Sequence, residues 1–182
     1  MAKKGEVSNY KEQKTDKPQI EDVIQAVLKD GRKQAALDMA AFVKSLKMTP
    51  QWASTNSWAL SYKSKRVGYI KMNEKDGDWQ VFAYSQYDEH LQELLEKESD
   101  EIQAYILDNI TYCYHCSACT PGKDMVLLGK DLKKICATPA FKLQNPNELY
   151  CEFVKRLIIL RRTAIENNRV PKVTYIAMKN RK

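Results

Sequence analysis

The chain has 182 residues and a formal net charge of +7; 43% of its residues are hydrophobic and 29% are charged. This composition is typical of a globular domain, and it excludes collagen-like, low-complexity and fully disordered proteins. The longest aliphatic run covers residues 157–160, whereas a membrane helix needs about 18 apolar residues. No apolar stretch follows the first five residues, so we expect a cytoplasmic protein without a secretory signal or a membrane contact.

The N-terminal region is expected to contain a tail and two helices. Residues 1–17 are polar and have no apolar period, which predicts a disordered tail before a single domain over residues 18–182. The apolar residues that follow recur at three- and four-residue steps as far as Leu28, and this period predicts a helix. A second such pattern ends before Pro50. We expect a helical hairpin rather than a DNA-binding helix-turn-helix, because the second helix is rich in alanine and has few charges.

An antiparallel sheet is predicted next. From Trp52 the apolar period changes to two, which is the period of half-buried strands, and alternating runs extend from Trp58 to Ala83. Three alternating runs are separated by a Lys-Ser-Lys turn and by a loop that contains Asp76-Gly77, so we predict a meander of three strands. The aromatic residues of these strands are expected in the core, since large rings suit a half-buried pleated face.

Short elements follow the meander. Asp88 and Asp100 are each expected to cap a short helix. Two apolar runs on either side of Gly129-Lys130 predict a second hairpin, and residues 141–143 are candidates for a further strand. Residues 173–178 are candidates for a last edge strand.

A long helix is predicted near the C-terminus. In the segment Asn145-Pro146-Asn147-Glu148, Asn145 can cap the helix, Pro146 suits the first helical position, and Glu148 can complete a capping box. The pattern continues to Glu166, with a wide apolar face that must pack against the sheet. The sequence therefore predicts an α+β fold: an antiparallel sheet with an N-terminal helical hairpin and a long C-terminal helix packed on it.

A cysteine cluster is the most specific chemical signal. Cys113, Cys116 and Cys119 have the spacing C-x2-C-x2-C, and sixteen residues separate Cys119 from Cys136. Thiolates bind metal ions, and cysteines two residues apart can fold over one ion in a tight turn. Cys136 would complete a tetrahedral site, with His115 in reserve.

Four interpretations of these cysteines remain open. Zinc would make the site structural. An iron–sulfur cluster fits less well, because the familiar bacterial spacing places a fourth cysteine where this chain has Lys123. The thiols could instead be small, partly buried residues that bind no ion. A dithiol–disulfide pair, Cys113 with Cys116 or Cys116 with Cys119, would indicate a redox enzyme.

The positive charge is concentrated at the C-terminal end. Residues 155–182 contain nine basic side chains and one acid, whereas the rest of the chain sums to −1. A basic patch attracts the phosphates of nucleic acid or another anionic partner. The residues expected to contact phosphates are Arg156, Arg161, Arg162 and Arg169. The plainer alternative is a solvated helix face followed by a basic tail.

Several motifs of the C-terminal half form a recognisable series. They are Cys116, Cys119, Pro121-Gly122-Lys123, Gly129-Lys130, Cys136 and Asn145-Pro146. In this series, over roughly residues 50–167, the chain resembles a family of bacterial proteins, mostly from Firmicutes, to which no activity is attached. The strands around residues 58–69 are also similar to small α+β domains of the YjbR-like kind, which implies a fold and not a function.

Together these patterns predict a binding or regulatory module with a cysteine-rich loop, rather than an enzyme. The site residues of this prediction are the four cysteines, with zinc as the expected cofactor. A nucleic-acid-binding protein that uses the basic end is the first alternative, and a cysteine-based redox enzyme is the second.

Overall fold

The computed structural model describes residues 10–86, 88–110, 112, 123–135 and 140–170. The helices are α1 (Tyr10–Asp16), α2 (Ile20–Val27), α3 (Asp30–Ser45), α4 (Glu89–Glu96), α5 (Asp100–Asp108) and α6 (Glu148–Glu166). The strands are β1 (Gln51–Ser54), β2 (Ser57–Tyr62), β3 (Lys65–Asn73), β4 (Asp78–Tyr84), β5 (Lys123–Leu127), β6 (Lys130–Ile135) and β7 (Ala140–Gln144). The α+β prediction is confirmed. Among the described helices, none combines the length and the apolar character needed to cross a bilayer.

Five strands form an antiparallel sheet in the order β1-β2-β3-β4-β7, and β5 and β6 pair separately. The predicted meander corresponds to β2, β3 and β4, and the candidate strand at residues 141–143 is the centre of β7. Strand β1 was not expected, because it is only four residues long and lies before the first predicted run. The candidate strand at residues 173–178 lies outside the described residues.

Side chains alternate between two faces of the large sheet. On the inner face, cross-strand neighbours such as Ile70, Val81 and Leu143 are fully buried. Trp58 and Trp79 are also buried there, so the prediction of core aromatic residues is confirmed for both. Each such large side chain contributes about 1.5–3 kcal/mol by leaving water. Tyr62 and Tyr69 of the same meander are by contrast only partly buried.

The helices α2, α3 and α6 cover this inner face. Phe153, Leu157 and Ile158 of α6 are completely buried, and they belong to the same apolar core as the inner residues of the strands. The predicted helical hairpin is formed by α2 and α3, which pack against each other and against the sheet. One apolar residue in the first turn of α6, Leu149, is by contrast 43% exposed.

Two strands approach each other closely at Gly68. The pairing of β2 with β3 shifts at this point, between Leu60 and Ser61. A Cβ atom on Gly68 would lie 2.1 Å from the carbonyl oxygen of Phe82 on β4. Only glycine therefore allows β3 to pack against β4 with this geometry.

The N-terminal tail prediction is wrong for the part of the tail that the structure describes. Residues 10–16 form α1, and the side chain of Gln13 is fully buried. Its amide nitrogen donates to Asn56 Oδ1 at 2.6 Å, and its amide oxygen accepts from the Asn56 backbone N–H at 2.8 Å. A short polar helix can be ordered in this way by hydrogen bonds rather than by apolar contacts.

Two predicted helix caps are shifted along the chain. Asn147, not Asn145, caps α6, because its side chain accepts from the Tyr150 N–H. Asn145 directly follows β7 and has a left-handed conformation (φ 45°). Pro146 lies between Asn145 and the cap, and is not the first residue of the helix. The cap of α5 is Ser99, one residue before the predicted Asp100. The predicted cap of α4, Asp88, is confirmed by a bond from the Leu91 N–H.

The second predicted hairpin is confirmed as β5–β6. Its strands are joined by Leu128 and Gly129, which both have positive φ angles, of 50° and 73°. This conformation is the usual one for a two-residue hairpin turn, and it explains the glycine.

Candidate functional site

The four cysteines predicted to bind metal lie outside the described residues: Cys113, Cys116 and Cys119 in segment 113–122, and Cys136 in segment 136–139. The structure describes the four residues that border these segments: Tyr112, Lys123, Ile135 and Ala140. Their geometry is the structural information that bears on the predicted metal site.

Three of these four border residues meet at Ile135, whereas Ala140 pairs with Tyr84 on β4. Ile135 pairs with Lys123 in the β5–β6 hairpin, and it also forms an antiparallel bridge with Tyr112. A strand can pair with one neighbour on each side, about 4.8 Å away. Tyr112 and Lys123, which both pair with Ile135, therefore flank β6 on its two sides. The segment with three cysteines begins directly after Tyr112 and ends directly before Lys123, while Cys136 follows Ile135 in the chain.

Asp124 holds the same end of the hairpin. Its carboxylate accepts a hydrogen bond from the Lys134 backbone N–H at 3.0 Å, and Lys133 Nζ lies 3.3 Å away. The backbone hydrogen bond is the main reason why the pKa of Asp124 is lowered. The pairing of β5 with β6 is irregular between Lys123 and Met125, so Asp124 fixes the irregular end of the strand pair.

The fifth cysteine has a different environment. Cys151 is buried on α6, and its thiol lies 3.5 Å from the carbonyl oxygen of Pro146. Burial raises its pKa to about 11. A thiol that stays protonated at neutral pH is a poor nucleophile and a poor metal ligand, so Cys151 serves the core.

Two of the four arginines predicted to contact phosphates are held by acids near the helices. Arg156 Nε and Nη2 donate to both carboxylate oxygens of Glu98, at 2.8 Å and 2.7 Å. Arg169 Nη1 lies 3.5 Å from the carboxylate of Asp88. Both guanidinium groups therefore connect helical segments of the fold.

The other two predicted arginines lie near the turn between β2 and β3. Arg162 pairs with Glu166 at 3.1 Å and lies over the ring of Tyr62. Arg161 is only 4% exposed, and its Nε donates to the Arg66 carbonyl oxygen at 3.3 Å. Arg161 is thus buried rather than presented to solvent, and the role of the four arginines in phosphate binding stays a prediction.

A different group of cationic and aromatic side chains lies on the outer face of the large sheet. Tyr69 on β3 pairs with Phe82 on β4, which in turn pairs with Lys142 on β7. The guanidinium carbon of Arg66 lies 4.5 Å from the ring centroid of Tyr69. Because side chains alternate along a strand, Phe82 points away from the face on which its neighbours Val81 and Ala83 are buried. The sequence alone could therefore have predicted its place on the outer face.

A cleft of about 630 Å³ lies between the N-terminal halves of α3 and α6. Several of its charged side chains are engaged: Arg32 bonds Asp78 outside the cleft, Lys155 bonds Glu152 at 2.6 Å, and Asp38 accepts from Gln34 Nε2 at 2.7 Å. Most of the charge in the cleft is therefore already used within the protein.

Comparison with known proteins does not assign a family. No protein-family model matches the chain, and neither the curated proteins nor the solved structures include a significant match. The resemblances described above for the cysteine segment and for the strands stay predictions.

Proposed function

We propose that the protein is a non-enzymatic binding module in which a structural zinc ion orders the β5–β6 end of the fold. The proposed zinc ligands are Cys113, Cys116, Cys119 and Cys136. The observation that carries this proposal is the double pairing of Ile135 with Tyr112 and Lys123. Segment 113–122 connects Tyr112 to Lys123, which both pair with Ile135, and segment 136–139 begins directly after Ile135.

A zinc ion would add stability to the small sheet formed by β5 and β6. A two-stranded antiparallel sheet is marginally stable by itself in water. Among the side chains that the structure describes in β5 and β6, Leu127, Leu132 and Ile135 are buried, whereas Val126 is 61% exposed. A zinc ion bound by four thiolates contributes its binding free energy to folding, so it would stabilise the strand pair that the apolar contacts support weakly.

Several reactive side chains in the described part of the chain have structural roles. Burial keeps Cys151 protonated, and Arg156, Arg162 and Arg169 are engaged with carboxylates. The redox alternative depends on the other four thiols. It requires at least one of them to have a lowered pKa, which a titration of thiol alkylation against pH measures.

Metal analysis of the whole chain tests the proposal. The protein is purified under reducing, anaerobic conditions without a chelator, and zinc, iron and sulfide are quantified. We expect about one zinc per chain, as a single tetrahedral site requires. The Cys116→Ser variant should lose the zinc, whereas Cys151→Ala, which removes the one described cysteine, should retain it.

The other outcomes separate the alternatives. Detection of iron and sulfide instead of zinc would identify an iron–sulfur cluster, and the redox properties of the protein would then be tested. A folded, metal-free protein would overturn the proposal, and so would a Cys116→Ser variant that keeps its full metal content.

A further inference from the structure

The outer face of the large sheet carries aromatic side chains that are not part of the main core. Tyr69 and Phe82 are direct cross-strand neighbours and are only partly buried, whereas the inner residues beside them in the strands are fully buried. Tyr84 meets Tyr69 edge to face, with 6.2 Å between the ring centroids. Three aromatic rings thus lie together on an antiparallel sheet, on the side away from the main core.

Cationic side chains alternate with these rings. Lys142 Nζ lies 5.8 Å from the ring centroid of Phe82, and the Arg66 guanidinium lies over Tyr69. Lys71 is exposed two residues after Tyr69 on β3, so it points to the same face. The outer face therefore combines flat apolar surfaces with three positive charges.

These charges are not neutralised within the described part of the chain. The ion pairs found there involve other cations, and none includes Arg66, Lys71 or Lys142. One acid, Asp78, lies at the end of this face, and it is already bonded to Arg32 at 2.8 Å. The face is consequently complementary to an anion.

We propose that this face binds single-stranded nucleic acid, with bases stacked on Tyr69 and Phe82 and phosphates beside the three cations. Unpaired bases stack on aromatic side chains, and phosphates require cations at short spacing. An acidic peptide would use the cations but not the rings. This proposal is independent of zinc, and it places the anionic partner on the sheet instead of on Arg156 and Arg169.

Fluorescence anisotropy of the full chain with a labelled single-stranded RNA of about 12 nucleotides and mixed sequence tests this proposal. Binding should weaken with salt, with a slope of log K against log salt of about −2, because three cations would each release about 0.7 counterions from a single strand. The same RNA annealed to its complement should bind more weakly, since its bases are no longer free to stack.

Variants separate stacking from charge. Tyr69→Leu and Phe82→Leu keep an apolar side chain, and each should weaken binding by about tenfold while the salt slope is unchanged. Lys142→Gln should instead make the slope less negative by about 0.7. Lys130→Gln is the matched control, because Lys130 is an exposed lysine on β6, away from the sheet face. Circular dichroism confirms that each variant is folded.

Four results would overturn the proposal. The first is an absence of binding at about 50 mM salt, where phosphate contacts are strong. The second is equal affinity for duplex and single strand. The third is full affinity in both leucine variants, which would indicate a surface for any polyanion. The fourth is a dimer in sedimentation analysis that the leucine variants dissociate, because the face would then be an interface between two copies.

Discussion

Replacing Gln13 by alanine removes the polar contact that attaches α1 to the sheet. The Gln13 side chain is fully buried and bonds both the side chain and the backbone of Asn56. It also accepts a hydrogen bond from Trp52 Nε1 at 3.2 Å. Gln13 therefore connects α1 to strand β1 and to the turn that joins β1 with β2.

The expected loss follows from these three hydrogen bonds. Each contributes about 1 kcal/mol net, and a buried N–H left without a partner costs about 1–3 kcal/mol. If α1 detaches in the variant, water reaches the Asn56 and Trp52 N–H groups and limits the penalty. We therefore expect Gln13→Ala to lower the free energy of unfolding by about 2–4 kcal/mol, which is a large part of the usual 5–15 kcal/mol.

Urea unfolding followed by tryptophan fluorescence measures this loss. With a slope of about 2 kcal/mol per molar urea, the midpoint should fall by about 1–2 M. Gln25→Ala is the control, since Gln25 is exposed on α2, and it should change stability by less than about 0.5 kcal/mol. An equally small effect of Gln13→Ala would refute the reasoning, because α1 would then contribute nothing to the folded state.

Three further predictions concern the strands and the cap of α6. Gly68→Ala should destabilise the protein by about 1–3 kcal/mol in urea unfolding, since the added methyl group meets the Phe82 carbonyl. A hydrogen bond from Asn145 is the main cause that lowers the pKa of Asp78, so Asp78 stabilises the fold above its unfolded pKa and this contribution is lost as pH falls through the folded pKa. Between about pH 5 and pH 2, the free energy of unfolding should therefore fall less in Asp78→Asn than in the unaltered protein. Unfolding curves recorded at several pH values measure this difference. Asn147→Ala should lower the free energy of unfolding by about 1 kcal/mol, because the Tyr150 N–H loses its cap, and calorimetry can measure this change.

Local periodicity was sufficient to predict most of the elements. Alternation of two identified β2, β3 and β4, and the three- to four-residue period identified α2, α3 and α6, because each pattern repeats within one segment of the chain. What failed depended on distant partners. The order of α1 depends on Asn56, and Asn145 is withdrawn from the helix cap because its side chain bonds Asp78 and the Trp79 N–H on β4.

The candidate sites were predictable to different degrees. The cysteine spacing identifies possible ligands, but only the strand register shows that Tyr112 and Lys123 meet at Ile135. The basic end is visible in the composition, whereas the pairing of Arg156 with Glu98 requires the packing of α6 beside the end of α4. Composition counts charges but does not show which carboxylates neutralise them.

The outer sheet face depends on the register of its last strand. Lys142 reaches Phe82 only because β7 pairs with β4 as Val81 with Leu143, and a slip of one residue would turn Lys142 towards the core. Asn145 opposes such a slip, since its side chain accepts from the Trp79 N–H at 2.9 Å and donates to Asp78 at 2.7 Å. The residue that the sequence assigns to a helix cap therefore sets the position of a lysine on the proposed binding face, and a change at Asn145 should disturb the sheet edge and that face together.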